Sequence, residues 1–284
     1  MTLTPPFEWP VFIGFDSRED IAYRVARRSL ERHARNPLYV QPIEQRYLRA
    51  TGVFWRPDDP TASTEFSFTR FLVPYLCDFE GWAIFFDCDF LVRGDLTQLG
   101  KYIDDSKAVF CVHHDYRPPE TVKMDGKAQH QYPRKNWSSF MLINCGHPSS
   151  RKLTPELVST ASGKYLHQFE WCADSEIGEL PMTYNYLEGW HTKEQEPNPV
   201  CVHMTRAARG LLATKTLSTP MSGGPTLEAH ISNWHACRAG AEGCGGHVPQ
   251  PPAETVCGDC GGMEEAAHQS AKRLFVGRCL PRRY

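Results

Sequence analysis

The run Trp82-Ala83-Ile84-Phe85-Phe86, cut off by Asp87-Cys88-Asp89, constrains this chain more than any other feature. Five apolar residues in succession leave no polar face, which fits a strand covered on both sides in a largely parallel sheet. Open sheets of that kind bind ligands at the carboxyl ends of their strands, where this run delivers two aspartates. At a spacing of two on an extended chain, both carboxylates point the same way. Converging carboxylates are hard oxygen ligands, suited to Mg²⁺ or Mn²⁺ carrying a diphosphate. A D-x-D triplet alone is a weak motif, and its bland alternative is a solvated turn. Its place at the end of so clean an apolar strand gives it weight.

The surrounding pattern supports an α/β sheet. Val11-Phe12-Ile13-Gly14-Phe15 reads as a first strand ending at Asp16-Ser17-Arg18-Glu19-Asp20, any of whose polar residues Asp16, Ser17 or Asp20 suits a helix cap. A helix follows, with Ile21, Val25 and Leu30 inward and Arg24, Arg27, Arg28 and Arg32 outward, and then a strand at Leu38-Tyr39-Val40. This strand–helix–strand opening is the signature of an α/β sheet. Residues 52–63, rich in Pro, Asp and Gly, read as a loop. Glu65 to Leu76 reads as a helix burying Phe68, Phe71, Leu72 and Leu76, with a kink at Pro74. Ala108 to Val112 and Ser139 to Ile143 read as further strands, and the polar, basic segment 114–136 as a flap over a site.

Composition removes several function classes. A net charge of −2 over 284 residues lacks the basic excess of a dedicated nucleic-acid binder. No run of about 18 apolar residues predicts a membrane span. Met1 to Pro10 lacks the basic-then-apolar pattern of a secretory signal, so a cytoplasmic location is expected. Six of the eleven cysteines are scattered, mostly in apolar runs, and five crowd between Cys237 and Cys279; an odd total argues against a disulfide framework. Cys257-Gly258-Asp259-Cys260, with Cys237, Cys244 and His247 at irregular spacing, is a weak zinc signal.

Further motifs make the pattern specific. Phe85-Phe86-Asp87-Cys88-Asp89-Phe90-Leu91-Val92, preceded by Phe68-Thr69-Arg70-Phe71 and Val73-Pro74-Tyr75-Leu76, resembles the metal-binding core of GT-A glycosyltransferases, closest to the family-8, glycogenin-like group. Lys135 to Cys145, Asp174 to Pro181, Tyr184-Asn185-Tyr186 and Val202-His203 are similar to a bacterial and algal-virus branch of that group and arrive in the family's order. The resemblance runs from Val11 to about Thr205. It implies a GT-A Rossmann-like α/β/α sandwich with a central mixed, mostly parallel sheet. The implied activity is transfer of a sugar from a nucleotide-sugar donor, UDP-linked by resemblance, to a hydroxyl of a glycan or other acceptor.

The same resemblance assigns roles to individual residues. Asp87, Asp89 and His203 would hold Mn²⁺ (or Mg²⁺), and Arg70 would pair with a D-x-D carboxylate or the donor phosphates. Phe15, Asp16 and Ser17 would cradle the base and ribose. Trp137, Ser138 and Ser139 would line the sugar pocket, with Asn144 nearby. Asp174 and Glu176 are the carboxylates placed to meet sugar hydroxyls, or to act as a general base if the reaction inverts, and Asn185 would close the acceptor side. Retention, which needs no such base in this family, is the favoured stereochemistry.

The chain departs from the pattern after His203. Relatives continue within a few residues to Gly-Gly-Pro, whereas here Arg206 to Ser222 intervene before Gly223-Gly224-Pro225, with Glu228, His230 and Trp234 following. The expectation is therefore a transferase domain over 1–235 interrupted at about 206–222, then a Gly-, Cys- and Pro-rich tail over 236–284 that is poorly ordered. Two other readings stay open: a nucleotide-sugar-binding relative impaired by the interruption, and a metal-dependent phosphohydrolase using the same carboxylates.

Overall fold

The structure is a computed structural model that describes residues 9–35, 38–60, 62–115 and 134–205. Most of the expected flap, the expected interruption at 206–222, the tail and the cysteine cluster lie outside the described residues. In chain order the elements are β1 (Val11–Phe15), α1 (Asp20–His33), β2 (Val40–Glu44), α2 (Gln45–Ala50), α3 (Val73–Leu76), β3 (Trp82–Phe86) and β4 (Phe90–Val92). There follow β5 (Val109–Cys111), β6 (Phe140–Asn144), α4 (Pro155–Thr160), α5 (Gly163–His167), β7 (Ile177–Glu179), β8 (Tyr186–Leu187) and β9 (Cys201–His203).

Six strands form one sheet in the order β2-β1-β3-β6-β5-β7. β1 pairs in parallel with β2 and β3, and β5 with β7, while β6 runs antiparallel to both β3 and β5. The sheet is therefore mixed and mostly parallel, as expected. β3 is central and every one of its residues is buried, which explains why its sequence alternates nowhere. The aromatic rings of Phe85 and Phe86 pack on Phe66 and on Phe90 and Phe140, so the strand that ends at the aspartates is gripped on both sides.

Several expected elements shift, each for a local reason. The second strand is Val40–Glu44, not Leu38–Val40, because its parallel register sets Val40 opposite Val11 and Ile43 opposite Gly14. Pro42 is tolerated there because β2 lies at the edge of the sheet. α1 buries Ala22, Tyr23, Ala26, Ser29 and Leu30, a face rotated from the expected Ile21 and Val25. Its small residues let it lie against β4, and the Ser29 hydroxyl accepts the Val92 amide at 3.0 Å. The expected helix over 65–76 is a 3-10 turn, Thr69–Leu72, followed by α3 with Pro74 in its first turn. Proline starts a helical turn readily but cannot continue one, so the chain restarts where a kink was expected. Residues 66–76 are all buried, so no amphipathic face existed to guide the reading. β5 is shorter than Ala108–Val112, and β6 starts one residue later than Ser139, which closes a 3-10 turn over Trp137–Ser139.

A second sheet, β4-β9-β8, was not foreseen. β4 pairs antiparallel with β9, setting Phe90 opposite His203, and β8 runs parallel to β9. The D-x-D thus bridges the end of one sheet and the start of another.

Gly14 is where β1 meets the segment carrying Arg70. A Cβ there would fall 2.4 Å from Cδ2 of buried Phe66, so the ring must move for any side chain to fit. Overpacking of this kind costs about 1–3 kcal/mol. Gly14→Ala is expected to lower the free energy of unfolding by that amount, seen by circular dichroism as a lower urea midpoint with an unchanged slope.

Candidate metal centre

β1 and β3 are parallel and β6 is antiparallel, so Asp16, Asp87 and Ser139 all emerge at one edge of the large sheet. The Asp87 amide donates to the Ser139 carbonyl at 3.0 Å, and the chain then turns at Cys88 and Asp89 before entering β4. The sequence expectation was an extended D-x-D. The turn replaces it, with the fully buried Cys88 thiol directed to Glu19 Oε2 at 3.4 Å. Asp89 is fixed through its carbonyl, which accepts the Met204 amide at 2.9 Å. The pairing of β4 with β9 then sets His203 beside it, its ring stacked on Phe90 at 4.5 Å between centroids.

Ligand atoms of Asp87, Asp89 and His203 all lie within 4.8 Å of one another, and His203 Nε2 is 3.3 Å from Asp89 Oδ1. Two carboxylates and one imidazole fit a hard divalent cation such as Mn²⁺ or Mg²⁺ whose remaining positions are filled by water or phosphate oxygens. Arg70 Nη1 donates to Asp87 Oδ1 at 2.7 Å and to the Ser138 carbonyl at 2.9 Å. Its guanidinium lies 5.2 Å from the ring centres of both Phe66 and Phe85, so it is held between aromatic faces. Burial pushes the Asp87 carboxyl up to about 7, against the lowering pull of Arg70 and with a further push from Asp89. His203 is opposed by burial, but Asp89 and then Asp87 outweigh it and raise its pKa.

Around the cluster, the Trp137–Ser139 turn supplies four contacts. Ser138 Oγ lies 2.8 Å from His167 Nδ1, and Ser139 Oγ lies 3.3 Å from His203 Nδ1. Trp137 stacks face to face on His113 at 4.0 Å and donates its indole N–H to the His114 carbonyl at 3.1 Å. One face of the indole is thus covered by His113. Asn185 is fully buried and sits behind His203, its Oδ1 3.2 Å from His203 Nδ1, not at an exposed acceptor surface.

The loop after β1 is tied internally. Burial would raise the Asp16 pKa, but hydrogen bonds from the Arg18 side chain and amide and from the Glu65 amide bring it below the usual carboxylate value. Ser17 hydrogen-bonds Glu65, and Phe15 packs edge-on against Tyr23. All three residues stand at the edge that carries the D-x-D.

Three expected residues do not join them. Asn144 pairs with Trp82 at the far end of β3, roughly 13 Å from Phe86 at strand spacing. Glu176 is at that same far edge, where its carbonyl accepts the Ala108 amide. Its carboxylate accepts from Ser149 Oγ at 2.7 Å and from the Ala173 amide at 2.9 Å, which lowers its pKa. Asp174 is exposed on the turn before β7 and pairs with Arg134, whose guanidinium lies 5.4 Å from the Trp137 ring centre. Antiparallel β6 is the cause for Asn144: the family motif ends where the strand does, on the wrong side of the sheet. Conversely, the sequence reading passed over His114, 8% exposed and beside Asn185 and His203, whose pKa burial and then His191 and His203 press down to about 3. It also passed over Glu19 and Glu65. These residues carry no local pattern and are found only through the fold.

No family model matches this chain. Protein CDI of Arabidopsis thaliana is 49% identical over 199 residues, which is 69% of this chain and 77% of that protein. Among solved structures, the bifunctional glycosyltransferase WbbM, in apo form, superposes with a TM-score of 0.52 at 16% identity over 72% of this chain. This chain spans 47% of WbbM, under half its length. The apo glycosyltransferase GlyE of Streptococcus pneumoniae TIGR4 gives a TM-score of 0.47 at 15% identity, over 81% of this chain and 60% of that one. The WbbM likeness, with the sheet order described above, identifies the fold as GT-A-like. No described helix is long and apolar enough to cross a membrane.

Removing Arg70 would leave the Asp87 carboxylate without its cation, and breaking such a buried pair costs about 3–5 kcal/mol. Arg70→Ala is expected to unfold at correspondingly lower urea, and Arg70→Ala/Asp87→Asn to recover part of the loss.

The pH dependence follows from two raised pKa values. Asp87, lifted from 3.8 to about 7, and His203, lifted above 6.5, both hold more protons folded than unfolded. Their contribution is therefore present at low pH and is lost as pH rises through the folded values. A divalent cation held by these groups would take the place of those protons. The rise in melting temperature on adding Mn²⁺ is expected to be larger at about pH 8 than at about pH 5; an equal rise at both would contradict the linkage.

Proposed function

This chain belongs to the family of Protein CDI of Arabidopsis thaliana, and from that premise we propose that it is a metal-dependent glycosyltransferase. It moves a sugar from a nucleoside-diphosphate donor, UDP-linked, to a hydroxyl of a glycan or other acceptor. The observation that carries the proposal is the convergence of Asp87, Asp89 and His203 at the binding edge of a GT-A-like sheet. The resemblance to the family-8 group, whose motifs occur here in order, supplies the donor class.

When bound, Mn²⁺ or Mg²⁺ would supply positive charge that stabilises the diphosphate as a leaving group. Asp87, Asp89 and His203 hold it. Arg70 orients Asp87, partly offsets the burial that disfavours its charge, and adds a fixed cation behind it. Phe15, Asp16 and Ser17 take the base and ribose, with Asp16 locking the loop through Arg18 and Glu65. Ser138, Ser139 and Trp137 form the wall toward the sugar. Their close bonding to His167, His203 and His113 keeps that wall rigid, which favours a single sugar orientation.

Retention is the stereochemistry proposed, and the placement of the two carboxylates considered as bases supports it. Glu176 is engaged at the opposite edge of the sheet, and Asp174 is paired with Arg134. The catalytic domain over 1–235, the interruption at 206–222 and a tail over 236–284 remain part of this proposal, as does a cytoplasmic location.

Calorimetric titration of UDP with Mn²⁺ and then with EDTA tests the reading. Two carboxylates alone repel a diphosphate, so metal and nucleotide are expected to tighten each other at least tenfold. Asp89→Asn is expected to abolish that coupling while leaving the melting transition near that of wild type. Equal UDP affinity in the two buffers would remove the basis for a metal-dependent transferase.

A further inference from the structure

His203 has two ring nitrogens, and only a bare lone pair on Nε2 can ligate a cation beside Asp89. Which nitrogen carries the proton is set by what Nδ1 faces. Nδ1 faces the Ser139 hydroxyl at 3.3 Å and Asn185, wholly buried, whose amide could present either its oxygen or its NH₂ to the ring.

The network around Asn185 leaves one orientation. Asn136 adopts a left-handed backbone, φ 65°, a conformation that asparagine tolerates better than most residues. Its carbonyl accepts from Ser139 Oγ at 2.7 Å and faces Asn185 Nδ2 at 3.2 Å. A carbonyl can only accept, so the NH₂ of Asn185 must be the group on that side. The Ser139 hydroxyl, having given its proton to Asn136, accepts from the same NH₂ at 2.9 Å. With both donors of the amide committed, its oxygen is left facing His203 Nδ1 at 3.2 Å. An oxygen there accepts only from an N–H.

We infer that Asn185 is a positioning residue for the metal centre: it holds His203 with the proton on Nδ1 and the Nε2 lone pair free for the cation. This rests on the metal-dependent reading above and assigns Asn185 a place behind a ligand instead of against the acceptor. Ser139 joins the two halves of the site, since its carbonyl holds the Asp87 amide while its hydroxyl holds Asn185. One short turn therefore sets both the carboxylate that arrives from β3 and the imidazole that arrives from β9.

The test combines ¹⁵N resonances of the His203 ring with Mn²⁺ affinity measured by electron paramagnetic resonance, neither of which needs an activity. Wild-type protein saturated with Mg²⁺ is expected to give a protonated Nδ1 and an unprotonated Nε2. Asn185→Ala, and Asn185→Leu in case the smaller side chain fails to fold, are expected to lose that assignment and to weaken Mn²⁺ roughly 10–100-fold, the usual range for such outer contacts. A variant without an acceptor that folds with wild-type ring signals and wild-type Mn²⁺ affinity would overturn the positioning role while leaving the metal centre standing. Failure of the wild type itself to bind Mn²⁺ would instead overturn the metal reading, and this inference with it.

Discussion

The site depends on one carboxylate being placed where water cannot fully solvate it. Asp87 stands at the mouth of a strand buried along its whole length, against Arg70, with Asp89 and His203 behind. Burial and a second carboxylate both disfavour its charge, and a single guanidinium is not enough to offset them, as its raised pKa records. The arrangement is thus short of positive charge in its ionised form. A divalent cation held by these groups would supply the missing positive charge.

Holding those groups in place takes elements from distant parts of the sequence. Arg70 comes from a buried turn restarted at Pro74, Asp87 from β3, Ser138 and Ser139 from the entry into β6, and His203 from β9. The two aspartates are anchored through their backbones, Asp87 by its amide on the Ser139 carbonyl and Asp89 by its carbonyl on the Met204 amide, while the Arg70 side chain donates to the Ser138 carbonyl. The small sheet β4-β9-β8 matters for this reason. Its ladder converts a separation of over a hundred residues between Asp89 and His203 into a contact of 3.3 Å. Rigid ladders fix ligand geometry better than loops do.

The polar residues around the cluster divide by edge of the sheet. Those at the carboxyl ends of β1 and β3, or at the start of β6, are near the metal ligands. Those at the other edge, Asn144 and Glu176 among them, brace the sheet and its connections. Trp137 is a middle case: it stands at the correct edge, but one indole face is stacked on His113, which limits how a sugar ring could approach it.

The sequence by itself determined the central strand, its aspartate ending, the parallel opening β1-α1-β2 and the three side chains that converge as candidate ligands. These were legible because a run buried on both faces shows no alternation, and because ordered motifs outlast sequence drift. It misjudged elements whose signal is not periodic. The residues of 66–76 are buried on every side, so they show no amphipathic face, and β2 takes its register from pairing with β1, which local propensity does not encode. Only the tertiary structure decided which side of the sheet each polar residue occupies. Chain direction makes that choice: antiparallel β6 brings Ser139 to the site and carries Asn144, five residues later, away from it. The tertiary structure also decided that Asn185 lies behind His203, because that contact depends on β8 and β9 lying side by side and on a carbonyl at Asn136 that no spacing rule predicts.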